Sequence, residues 1–256
     1  MTTDVASVTP DTSISTIARL FDERRISAVP VLDPAGAVVG VVSRTDLLRV
    51  GRIQAGSHRK AHVLTLPEKT AADLMRESTR KPLTTEPTVS LRDAARKICD
   101  ERVHRLFVVD GGRLVGVIST LDMMGAVRDA RIEHPISDIM SKPLFTILAQ
   151  QPISAAVERL GAARVTGLVV IENEYPVGLF TQLEAMQSRD LPRDTRVEDV
   201  YDPAMLCLPD ATKMFRAAEQ ASRLGVRRVL PCKEREALGI VTSFDFAKLV
   251  ATALAT

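Results

Sequence analysis

GVISTLD, residues 116–122, decides how this chain is read, because its pattern occurs four times. The other copies are GVVSRTD (40–46), GLFTQLE (178–184) and GIVTSFD (239–245). Each is a glycine, two apolar residues, a hydroxyl residue, two spacers and an acid. Recurrence at this period points to one supersecondary unit copied along the chain, each copy unable to bury its apolar face alone.

The sequence ahead of each copy repeats as well. Apolar residues recur with helical spacing. The stripes are Ile14, Ile17, Ala18, Phe21; Leu91, Ala94, Ala95, Ile98; Ile153, Ala156, Val157, Leu160; and Met214, Ala217, Ala218, Ala221. Ser13, Ser90 and Asp210 are candidate N-caps, and Pro152 suits a helix start. Each stripe leads into an apolar run: SAVPVLD, HRLFVVD, TGLVVIE and RRVLPCK. Turn residues follow, such as Asp33-Pro34-Ala35-Gly36 and Asp110-Gly111-Gly112. The glycine-led motif then forms the second strand of a hairpin, and a second helix is predicted to begin at the acid.

Each unit therefore reads β-α-β-β-α, an α/β (α+β) fold. The expected boundaries are 1–50, 71–130, 131–192 and 193–256, with a basic linker at 51–70. One such unit buries too little surface to be comfortable alone, so pairing through the sheets is expected, giving two pairs. The linker carries Arg52, His58, Arg59, Lys60 and His62. It reads as a solvated connection, or as a loop for an anion or nucleic acid.

Composition narrows the function. Of 256 residues, 45% are hydrophobic, enough for a core, but only 4% are aromatic and none is Trp. Val, Ile, Leu and Ala must fill that core. Lys+Arg number 34 against 32 Asp+Glu, a net charge of +2, which gives no global attraction to nucleic acid or to an acidic membrane. No aromatics are interleaved with basic residues for base stacking, and no apolar run approaches the ~18 residues of a membrane span. Cys99, Cys207 and Cys232 form no Cys-x-x-Cys, which argues against a zinc site or redox pair. An odd cysteine count without a signal sequence fits a cytoplasmic location. His58, His62, His104 and His134 belong to no nucleophile–base pattern, and there is no P-loop, so neither enzyme activity nor a bound metal is expected.

The order β-α-β-β-α closed by G-h-h-S/T-x-x-D resembles the cystathionine β-synthase (CBS) domain, two of which form a Bateman module. Asp73-Leu74-Met75 and Asp138-Ile139-Met140 match the family's lead-in segment, Glu198-Asp199-Val200 matches it weakly, and the first copy has no such segment. Four copies without a catalytic domain resemble the gamma subunits of AMP-activated protein kinase. Those carry Ser-Ala or His-Arg at the start of the first hairpin strand. Here the pairs are Ser27-Ala28, His104-Arg105, Thr166-Gly167 and Arg227-Arg228, basic in the second and fourth units, with Arg227 replacing the histidine.

These residues suit a mononucleotide. A carboxylate can accept both hydrogen bonds of a ribose diol; Asp46, Asp122 and Asp245 are candidates, and Glu184 is one methylene longer. Ser43, Ser119, Thr181 and Thr242 can donate to phosphate where a helix start also favours an anion. The same hydroxyls and acids also read as ordinary N-caps. Ala71, Ile136 and Ile139 are candidate walls for the base. His104, Arg105, Arg227 and Arg228 are the candidate phosphate ligands, since unpaired cations at a strand start are costly and a phosphate offsets that cost. The alternative is an arginine that snorkels from the strand end to the surface. Neighbours on a regular strand point to opposite faces. His104 and Arg105 therefore meet one phosphate only at the strand's mouth, or else serve two adjacent sites.

The reading that follows is a regulatory sensor of adenine nucleotides, AMP first, then ADP, ATP or S-adenosylmethionine. The alternative is an interaction module with degenerate sites that docks an effector protein. A homodimer is compatible with either.

Overall fold

The computed structural model describes residues 1–55, 66–78, 81–234 and 236–253. His58, Arg59, Lys60, His62 and the side chain of Arg52 lie outside the described residues. Unit one contains α1 (Ile14–Arg24), β1 (Ala28–Leu32), β2 (Val38–Ser43) and α2 (Arg44–Ala55). Unit two contains α3 (Ala71–Glu77), β3 (Thr84–Thr85), α4 (Leu91–Asp100), β4 (Arg105–Asp110), β5 (Arg113–Ser119) and α5 (Thr120–Asp129). Unit three contains α6 (Ile136–Ile139), β6 (Thr146–Leu148), α7 (Ile153–Ala162), β7 (Gly167–Glu172), β8 (Tyr175–Thr181) and α8 (Gln182–Gln187). Unit four opens on a 3-10 turn, Val197–Asp199, then β9 (Leu206–Pro209), α9 (Met214–Leu224), β10 (Arg228–Lys233), β11 (Glu236–Ala237), β12 (Val241–Thr242) and α10 (Ser243–Ala253).

In units two, three and four a short edge strand runs parallel to the first hairpin strand, and the hairpin itself is antiparallel. In unit one the edge strand shrinks to a single parallel bridge, Val8 to Val31. The α/β class expected from sequence is the one observed.

All four helical stripes face inward, with Leu91 partly exposed and the rest buried. Ser13 and Ser90 cap α1 and α4. Asp210 does not cap α9. That helix starts at Met214, where the free N–H groups of Met214 and Phe215 donate to the carbonyls of His134 and Ile132, at 2.8 and 3.1 Å. Backbone from unit three supplies what a side-chain cap would have supplied. The closing helices begin two residues earlier than the acid, which occupies their third position.

The units pair in two ways. Helices of units one and three share one apolar core, around Phe21, Leu47, Leu160 and Met186. Helices of units two and four share another, around Ile98, Met123, Ala218 and Phe246. The sheets of units three and four meet over Val169, Leu179 and Leu230.

Units one and two, and units three and four, also exchange their lead-in segments. Met75 lies against Gly40, Met1 against Gly116, Tyr201 against Gly178 and Met140 against Gly239. A Cβ on any of these glycines would fall 2.3–2.9 Å from the incoming residue. This is why the motif leads with glycine: its missing side chain is the seat for the neighbour's segment. Met1 and Thr2 take that role for unit one, with Thr2 bridging Val117, so the first unit does have a lead-in segment.

Candidate functional site

The motif hydroxyl and acid form the same arrangement in every unit. The acid accepts from the backbone N–H and the hydroxyl of the residue three before it. Asp46 accepts from Ser43 at 2.9 and 2.5 Å, and Asp122 from Ser119 at 2.8 and 2.9 Å. Glu184 accepts from Thr181 at 2.7 and 2.5 Å, and Asp245 from Thr242 at 2.9 and 2.9 Å. The longer Glu184 makes the same pair of bonds as the aspartates. These are capping-box contacts, and each commits one carboxylate oxygen.

The second oxygen differs between units. That of Asp46 pairs with Arg49. That of Asp122 meets the Met1 amino group at 2.9 Å. Asp245, only 1% exposed, also accepts from Ser141 at 3.0 Å and Lys248 at 2.8 Å. Beside Asp46 lies a cavity of about 310 Å³, lined also by Arg49, Val50, Leu74 and Glu77. Two carboxylates against one arginine suit a neutral diol better than a phosphate there. Ala71 and Ile136 are fully buried in the two helical cores, with no face to offer a base, and Ile139 is partly buried against the second of these cores.

The basic strand starts behave differently. The guanidinium of Arg105 crosses to unit one and donates to Ala28 O at 3.2 Å and Ser27 Oγ at 2.6 Å. Arg228 crosses to unit three and donates to Thr166 O at 3.0 Å and Thr166 Oγ1 at 2.9 Å. It lies over Gly167, where a Cβ would stand 3.1 Å from its Cζ. The small pairs Ser27-Ala28 and Thr166-Gly167 thus make room for the arginine of the neighbouring unit. The first members of the basic pairs turn elsewhere. His104 stands edge-on to Phe244 of unit four, with ring centroids 5.7 Å apart. Arg227 reaches Arg25 O of unit one at 3.5 Å. His104 and Arg105 therefore face different units, as alternation along a strand requires.

A further cation joins them that the motif reading passed over as a spacer. Arg44, the residue after the first motif hydroxyl, is 6% exposed. It donates to Phe21 O at 3.1 Å, and its guanidinium lies 5.8 Å from the Phe21 ring centre. The matching residues are neutral, Thr120, Gln182 and Ser243, and all three bond across unit contacts. Thr120 donates to Ser243 at 2.9 Å, and Gln182 to Thr45 at 2.9 Å.

These arginines sense one another. Burial holds Arg105 down to about 10, and the charges of Arg227 and Arg44 push the same way. Burial also lowers Arg44, Arg227 and Arg228; Asp22 and then Glu184 oppose the shift at Arg44, Glu184 opposes it at Arg228, and Arg227 adds to it at both. Arg44, Arg105 and Arg227 thus repel one another, although Arg227 is exposed, and an anion among them would relieve that repulsion. Among the described residues no group of His, Cys, Asp or Glu is placed to hold a metal, and no helix is long and apolar enough to cross a membrane.

Comparison with known proteins places this geometry. The sequence profile of the CBS domain matches residues 1–52, 71–129 and 136–188. Protein MJ1225 of Methanocaldococcus jannaschii is 24% identical over 192 residues, covering 67% of this chain and 69% of that one. Its crystal structure has the same fold, with a TM-score of 0.81 at 17% identity over 96% of this chain and 95% of the other. The human 5'-AMP-activated protein kinase subunit gamma-3 is 33% identical over 128 residues, 48% of this chain. The chain spans only 24% of that subunit's length.

Proposed function

The chain belongs to the CBS domain family, and from that premise we propose that it is a regulatory sensor of adenine nucleotides rather than an enzyme. AMP, ADP or ATP binds in the clefts between paired units, which we place at 1–50 with 71–130 and at 131–192 with 193–256. The observation that carries this reading is one arginine crossing each pair of units, Arg105 from unit two to unit one and Arg228 from unit four to unit three, with Arg227 also reaching unit one. Each is held by uncharged oxygens rather than by a carboxylate. A phosphate supplies the charge-assisted hydrogen bonds they lack. The ribose diol meets the acid oxygen that the cap leaves over, at Asp46 or Asp122. The similarity to a kinase subunit named for AMP supports AMP among the ligands. His104 adds a donor from unit two, and Ser119 or Thr242 can turn its hydroxyl from the acid to a phosphate oxygen.

Isothermal calorimetry with AMP, ADP, ATP and S-adenosylmethionine tests this. No binding at millimolar ligand overturns it. Arg105→Ala is expected to weaken AMP about 10- to 100-fold and to leave adenosine nearly unchanged. Equal losses for both would exclude a phosphate contact.

A second reading has its own support. Every motif hydroxyl and acid already satisfies the other in a capping box, as in an interaction module whose sites have become structural. Such a module docks an effector protein and gains no thermal stability from saturating nucleotide, whereas a sensor gains it by mass action.

A further inference from the structure

Arg44 is the one cation at its motif position, and the fold satisfies it only in part, through a terminal nitrogen that donates to Phe21 O. Its Nε is the one buried side-chain nitrogen or oxygen among the described residues without a hydrogen-bond partner. An orphaned donor on a buried guanidinium is costly, and its neighbours do not offset the cost. Asp22 also faces Arg189 at 3.6 Å. Glu184 is held by Thr181 and also faces Arg228. Arg227 repels Arg44, and Arg105 is repelled by both. Unit one, meanwhile, has no cation at its strand start, where Ser27-Ala28 stand instead of a basic pair.

We propose that Arg44 is unit one's phosphate-binding residue, and that with Arg105 and Arg227 it forms a site for ligands carrying two or more linked phosphates. This rests on the nucleotide reading of the same centre and narrows it to ADP or ATP. Charge balance sets the class. Arg44, Arg105 and Arg227 repel one another, while the acids that act on Arg44, Asp22 and Glu184, are shared with Arg189 and Arg228. One phosphate leaves that excess unmatched, and each further phosphate brings another charge and more acceptor oxygens. The Nε and a terminal nitrogen of one guanidinium lie side by side, the spacing that takes two phosphate oxygens together.

Calorimetry and thermal melts compare the wild type with Arg44→Met, which keeps the side chain's bulk and removes its charge. Ligands are AMP, ADP, ATP and inorganic tripolyphosphate. Affinity for ADP, ATP and tripolyphosphate is expected to fall about 10-fold or more, and that for AMP by no more than about threefold. The unliganded variant is expected to melt no lower than wild type, because a repelled cation has gone. A purely structural Arg44 gives the opposite pattern, a lower melting temperature with unchanged affinities, and that result overturns the proposal. Equal losses for AMP and ATP overturn it as well. If tripolyphosphate binds through Arg44 while no nucleotide binds, the nucleotide reading falls and the Arg44 site stands. If none of the four binds the wild type, both fall. Should Arg44→Met not fold, Arg44→Lys carries the test: it loses the paired donors, so ATP weakens by about threefold or more relative to AMP, and unchanged affinity overturns the assignment.

Discussion

Asp122 and Asp245 hold the same motif position but are tied down to different degrees. Asp245 is 1% exposed and accepts from Thr242, Ser141 and Lys248. Asp122 is more open and, apart from its cap, meets the Met1 amino group. Asp245→Ala is expected to cost about 2–4 kcal/mol in urea unfolding, because buried donors are left unmet. Asp122→Ala should cost about 1 kcal/mol, the loss of a cap, and should weaken adenosine and AMP alike if the oxygen now paired with the Met1 amino group holds the ribose. Equal stability losses would contradict this division. The sequence shows the hydroxyl and acid at their positions but cannot separate cap from ligand, because both roles use the same atoms. Arg44 escaped notice for a related reason. Its spacing marks it as a variable position, and its burial comes from the end of α1 and from the other units, which no local pattern reports.

At the scale of elements, the helices and hairpins were legible because their periods are local. The apolar stripes predict the buried faces of α1, α4, α7 and α9, and the glycine-led motif predicts the second hairpin strand. Two features were not legible. The cap of α9 is backbone at Ile132 and His134, which leaves Asp210 no donor of that helix to satisfy. The reason for the motif glycine is a segment from the neighbouring unit. That reason is testable, since the four seats are not equally forgiving. The three atoms nearest a Cβ at Gly40 all belong to the Met75 side chain, from 2.5 Å, whereas one at Gly178 also meets the backbone oxygen of Asp202 at 2.5 Å. Both alanine variants are expected to lose about 1–3 kcal/mol. Adding Met75→Ala should restore much of the loss at Gly40, and adding Tyr201→Ala should restore little at Gly178. Melts of single and double variants measure the coupling; full rescue at both sites would show that the backbone contact is unimportant.

For the whole molecule, the sequence argues for two pairs joined through sheets. It does not reveal that the helices pair units one with three and two with four, because an apolar stripe does not name its partner. The consequence is that a division between residues 130 and 131 cuts both helical cores. Fragments 1–130 and 131–256 should each expose an apolar helical face, associate with themselves when alone, and combine when mixed. Sedimentation velocity distinguishes the outcomes. A well-folded monomeric half would contradict the sharing of cores.

The exchange of lead-in segments also sets an arithmetic for descent. Unit one's segment is received by unit two, which returns its own, and units three and four do the same. Every account closes within two units. Gain or loss of a single unit would strand one segment and leave one glycine notch vacant, while gain or loss of two would leave no defect. Lineages of this architecture should therefore lengthen and shorten by even numbers.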